Sequence, residues 1–145
     1  MRHPKGATLA LAAAYLGVGA AGTAVAVRDE LPARFLGIRT GLSPKQDFLF
    51  GMGTALSGPL AFLVAIASAA AVTATSSNRE TRVRANAALT LLGACGTVGM
   101  LGEPITYRVL RRPKRHRVEA GIVVGNVVLP ASIAWRSGRQ WARLT

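Results

Sequence analysis

The sequence predicts an all-α protein: a four-helix transmembrane bundle with a short interfacial helix in its first loop and another after its third span. Three observations predict it. The 18 Lys and Arg and 6 Asp and Glu leave four runs with no formal charge, Ala7–Val27, Phe48–Asn78, Ala85–Gly102 and Ala120–Trp135, of 21, 31, 18 and 16 residues. About 20 apolar residues cross a bilayer core of about 30 Å, and flanking side chains that snorkel extend the shortest run. The runs also carry no polar face, which a water-soluble helix of a chain this small needs. Finally, half the residues are hydrophobic but only 6% are aromatic, with 16 glycines, the composition of helices that pack closely through small residues. Residues 1–145 read as a single integral membrane domain with helices over about 6–27, 44–75, 78–102 and 118–136, placed in the cell membrane as a multi-pass protein.

The first helix follows a basic leader, Met1 to Lys5. Its "GVGAAG" at Gly17–Gly22 matches the dinucleotide fingerprint G-x-G-x-x-G, but no strand precedes it and no βαβ pattern surrounds it, so the glycines read as a packing face. Leader, apolar stretch and Ala24-Val25-Ala26 also resemble a secretory signal, although the apolar stretch is longer than such segments usually are. In the first loop Leu31, Phe35 and Leu36 predict the apolar side of a short interfacial helix ended by Gly37. Ser43, Pro44 and Gln46 form a capping box that starts the second helix. That helix is expected to run to Thr75 with a kink at Gly58-Pro59, where the proline cannot donate to Ala55. Within it Gly51, Ala55 and Pro59, and likewise Gly53, Ser57 and Ala61, recur at four-residue spacing as packing stripes.

"SNRE" predicts a second capping box, Ser77 with Glu80, at the start of the third helix. Gly96, Gly99 and Glu103 then share one face. Pro104 ends the helix and begins an amphipathic segment, with Ile105, Val109 and Leu110 set against Arg108, Arg111 and Arg112, that lies along the surface. The fourth helix follows "PKRHR", with Trp135 and Trp141 at interface positions. Lys and Arg divide eight to ten between the two sides, so their bias assigns no orientation.

A net charge of +12 suits anionic headgroups, each basic residue near the surface contributing about 1 kcal/mol. With the basic residues placed between apolar spans, nucleic acid is not the expected partner. Several chemistries are excluded. His3 and His116 sit in polar flanks and place no haem ligand at membrane depth. Cys95 is the single cysteine, so no dithiol exchange is available. The first helix lacks the embedded glutamate of a small multidrug exchanger. Neither a metal-ligand spacing nor a Ser/His/Asp triad occurs, and no cofactor is called for.

The candidate functional residues are Glu103, Tyr107, Arg108 and Asn126. Glu103, at the end of an apolar helix, needs a donor, expected from Arg108, the arginines beyond it, or Asn126. Arg111, Arg112, Lys114 and Arg115 are the expected headgroup contacts, and Gly51, Gly58, Pro59, Gly96 and Gly99 the close-packing positions. Four helices in 145 residues, the proline-bearing "SGPLAF" and the "LGEPITYRVL" that ends the third helix before a basic loop resemble the anthrone oxygenase-like family of small bacterial membrane proteins. That family favours asparagines around the proline where this chain has Glu103 and Thr106, and no catalytic residue is carried over.

Two functions compete on this reading. One is a non-catalytic accessory or structural protein that contacts anionic lipid, a protein partner or a second copy. The other is a small membrane enzyme or binder for an apolar aromatic or quinone-like molecule held between the helices. A cavity above about 300 Å³ faced by Glu103 and Asn126 favours the second; a collapsed interior with Glu103 ion-paired favours the first.

Overall fold

The computed structural model describes residues 4–145, and the first three residues of the basic leader, Arg2 and His3 among them, lie outside this range. The described chain is helical: α1 Pro4–Arg28, α2 Pro44–Phe50, α3 Leu60–Thr75, α4 Arg79–Leu101, α5 Pro104–Arg111 and α6 Arg117–Leu144. The four longest helices pack in the ring order α1, α3, α4, α6, and α4 against α6 is the most extensive pair. Close approaches fix their directions. A Cβ on Gly93 would lie 2.5 Å from the Pro130 carbonyl oxygen and one on Gly138 3.5 Å from Thr90, so α4 and α6 run antiparallel. Gly125 meets Val18, Gly22 meets Ile122, and Arg136 Nε donates to the Thr8 hydroxyl at 3.3 Å, which makes α1 and α6 antiparallel as well.

By length and composition, α1 and α6 are each apolar and long enough to cross a membrane. A third span results if α4 and α5, bent by 63° at their junction, count as one. The bend has the predicted cause. Pro104 opens α5, and the Thr106 hydroxyl donates to the Met100 carbonyl at 2.7 Å, answering one of the acceptors left open at the end of α4.

The predicted helix over 44–75 is corrected. The Ser43 capping box is present, but α2 ends after seven residues and helix resumes only at Leu60. Gly51 and Gly53 both donate to the Asp47 carbonyl, at 2.9 and 3.0 Å. Gly53 has φ 101°, and a Cβ there would stand 2.4 Å from the Ser57 carbonyl oxygen, so the turn requires glycine. Thr54 and Ser57 then exchange backbone hydrogen bonds, and Ala55 donates to the Leu31 carbonyl. Local bonding of this kind outcompetes the kinked helix. The stripes through Gly51, Ala55 and Pro59 and through Gly53 and Ser57 therefore do not exist as helix faces, and Pro59 instead precedes α3 in extended conformation.

Other corrections are smaller. The first loop contains a single 3₁₀ turn at Phe35–Gly37 in place of an interfacial helix, because Leu36 sits at φ 52°. Asn78 rather than Ser77 caps α4, accepting from the Thr81 N–H at 3.2 Å, and Glu80 pairs with Arg84 instead of reaching back. The last helix continues past Trp135 to Leu144, eight residues beyond the predicted 136. The first loop, α2 and the 51–59 segment together with α5 form a cap over one end of the ring. Phe35 lies on Gly102, where a Cβ would come within 2.3 Å of its ring, and Leu36 N–H donates to the Gly102 carbonyl. Two apolar cores result, one of Ala12, Tyr15, Leu63, Ile66, Leu89 and Ile133, the other, under the cap, of Ala26, Leu56, Met100, Val109, Ile122 and Val123.

Candidate functional site

Where these cores meet, a cavity of about 310 Å³ opens between α1, α3, α4, α6 and the cap. Its walls are mostly apolar: Phe35, Met52, Pro59, Phe62 and Met100 line it, and Gly58, Gly96 and Gly99 leave the space that larger residues would fill. Gly58 and Gly96 hold the Phe62 ring at contact distance, whereas nothing stands within 4 Å of where a Gly99 Cβ would be. The polar lining is Tyr15, Thr54, Ser57, Cys95, Glu103 and Asn126.

Asn126 is 2% exposed, and its Nδ2 donates to the Leu56 carbonyl at 2.7 Å. That bond fixes the amide orientation and leaves Oδ1 buried with no donor among the described residues. Pro130, four residues on, also withholds the helical N–H from the Asn126 backbone carbonyl. The Leu56 carbonyl that Asn126 captures belongs to the 53–57 segment, and a Cβ on Gly22 would stand 2.2 Å from the same oxygen. One side chain thus ties the non-helical cap segment to α6, and its other polar atom stays buried without a donor among the described residues.

Glu103, 7% exposed, lies past the last residue of α4 and before the first of α5, outside both helices. Both its carboxylate oxygens accept from the Arg34 backbone N–H at 3.1 Å. The expected partners are corrected: among the described residues no arginine side chain is paired with it, because Arg108 and Arg111 project outward on the exposed face of α5. Burial, with the Asp47 carboxylate as a second contribution, pushes the Glu103 carboxyl up to about 7. Asp47 is itself fully buried, one oxygen accepting from the Thr40 hydroxyl at 2.7 Å and the other without a partner.

Of the sequence candidates, the fold brings together Glu103, Asn126, Gly58, Pro59, Gly96 and Gly99. It leaves Tyr107, 53% exposed, and Arg108 outside the cavity. Gly51 packs on the Asp47 carboxylate rather than on another helix. Arg111, Arg112, Lys114 and Arg115 are all exposed around the turn into α6. Sequence reasoning missed Thr54, Ser57 and Phe35 as parts of the cavity wall and Asp47 as the carboxylate that acts on Glu103. An acid one turn into a capped helix was the only available sign of Asp47, and the others depend on the helix break. The described residues contain no group of His, Cys, Asp or Glu able to hold a metal ion. No protein-family model, curated protein or solved structure matches the chain.

Proposed function

We propose that the protein is a multi-pass membrane protein with four spans, α1, α3, α4 and α6, that binds an apolar, ring-bearing molecule carrying a hydrogen-bond donor. The observation that carries this reading is the mostly apolar cavity of about 310 Å³ that Asn126 and Glu103 both line, with the Asn126 Oδ1 left buried and without a donor among the described residues. A buried acceptor without a donor costs about 1–3 kcal/mol, and a phenol or hydroquinone hydroxyl answers it. Glu103 stands at the same cavity with a carboxyl that changes charge near neutral pH, able to accept a proton from such a hydroxyl or return one. The exposed Arg111, Arg112, Lys114 and Arg115 fit a cap resting against anionic headgroups, which concerns how the protein sits and leaves its ligand open.

The test uses detergent-solubilised protein and two probes, 2-naphthol and naphthalene, followed by equilibrium dialysis. Binding of 2-naphthol is expected to be about tenfold tighter than that of naphthalene, as one buried hydrogen bond provides. Asn126→Leu should erase that difference, and Gly99→Phe, which places a ring in open space, should abolish binding of both. Equal affinities in the wild type and in Gly99→Phe would remove the cavity from consideration.

A further inference from the structure

A second cavity, of about 440 Å³, lies at the opposite end of the ring from the cap, where α3 ends, α4 begins and α6 finishes. It is lined by Thr73, Trp135, Gln140, Leu144 and four arginines, Arg82, Arg136, Arg139 and Arg143. No acid is among the described residues that line it, and Glu80, the acid at this end, is already paired with Arg84. Two of the four are held in place by visible contacts: Arg136 Nε donates to Thr8, and the Arg139 guanidinium stacks over the Trp135 ring at 5.8 Å. Arg82 is different. Its Nε is buried without a hydrogen-bond partner, although its carbonyl is engaged by the Asn86 amide. Arg79 spans the rim, its guanidinium donating to the Leu144 carbonyl and so joining the start of α4 to the end of α6.

We infer that this pocket binds a phosphate group. Four guanidiniums around one cavity repel each other, and a phosphate relieves that repulsion while offering enough acceptors for several forks at once. Gln140 and the Thr73 hydroxyl add neutral polar atoms to the walls. Trp135, 71% exposed, and Trp141, 42% exposed, mark this end of the apolar helices as headgroup depth. The same chemistry serves an anionic phospholipid headgroup or a soluble phosphate ester. This site is separate from the apolar cavity and does not depend on what that cavity holds.

Native mass spectrometry of the full chain in neutral detergent, titrated separately with phosphatidylglycerol, phosphatidylcholine and glycerol 3-phosphate, tests it. The wild type should bind phosphatidylglycerol more tightly than phosphatidylcholine. The double variant Arg139→Gln/Arg143→Gln, at two exposed positions that the fold does not need, should weaken binding by about tenfold, the size of one charged hydrogen bond. Arg82→Gln should do the same, and the control Arg39→Gln, at an exposed first-loop position away from this end, should change nothing. Pocket-sensitive binding of phosphatidylglycerol without glycerol 3-phosphate identifies lipid as the source. Pocket-sensitive binding of glycerol 3-phosphate identifies a soluble ester. The inference is overturned if phosphatidylcholine binds equally well, or if the Arg139→Gln/Arg143→Gln variant keeps wild-type affinity for both phosphate compounds.

Discussion

Glu103 shows how much a single donor decides. Because its partner is a backbone N–H and not an arginine side chain, an amide oxygen can replace the carboxylate. At pH 4.5, where Glu103 is protonated in the folded protein, Glu103→Gln should therefore leave thermal stability in detergent nearly unchanged, whereas Glu103→Ala leaves the Arg34 N–H unanswered and should cost about 1–3 kcal/mol. The pH dependence follows from the raised carboxyl. Its folded value of about 7 lies above the ordinary 4.5, so between these values the folded state holds more protons than the unfolded one. The stabilisation is then complete below pH 4.5 and is lost as pH rises through 7. Melting temperatures recorded from pH 4.5 to 8 should show this fall in the wild type and a flatter profile in Glu103→Gln. Equal profiles would mean that Glu103 is ionised throughout.

At the scale of elements, the 51–59 segment is the feature that a helical sequence conceals. Five consecutive residues, Gly53–Ser57, are buried without being helical, a state that backbone tolerates only when protein groups satisfy it. Asp47, Leu31, Asn126 and the Thr54 hydroxyl supply those partners. The glycines beneath separate into two kinds. Gly22→Ala and Gly93→Ala drive a methyl into backbone oxygens 2.2 and 2.5 Å away, and each should cost about 1–3 kcal/mol. Gly99→Ala meets open space and should instead stabilise its helix by about 0.5–1 kcal/mol. Unfolding midpoints of the three variants give the comparison, and a Gly93→Ala protein as stable as the wild type would contradict the close α4–α6 packing.

For the molecule as a whole, the antiparallel ring makes a topological prediction that the near-even distribution of Lys and Arg does not. If α1, α3, α4 and α6 each cross the bilayer, the cap and the turn after α5 lie on one side, and the α3–α4 connection lies on the other with the C-terminus. In a Cys95→Ser background, Lys45→Cys and Lys114→Cys should react with an impermeant maleimide from the same side of sealed vesicles. Ser77→Cys should react only from the opposite side. Labelling of all three from one side would contradict the four-span arrangement.

Helicity, the positions of α1 and α4, the start of α6, the bend at Pro104 and the capping box at Ser43 were all legible in the sequence. Each depends on charge-free length or on residues within four positions of one another, and such interactions are carried by the chain locally. Glu103 and Asn126 stood out for the same reason, as polar groups in apolar surroundings. What joins them was decided only by the tertiary structure: the Arg34 N–H reaches Glu103 across 69 positions and the Leu56 carbonyl reaches Asn126 across 70. No periodicity encodes a backbone group as a partner, since every residue but proline offers the same donor and every residue the same acceptor. The interrupted second helix, the cavity it roofs and the arginines gathered at the far end follow from those long-range choices.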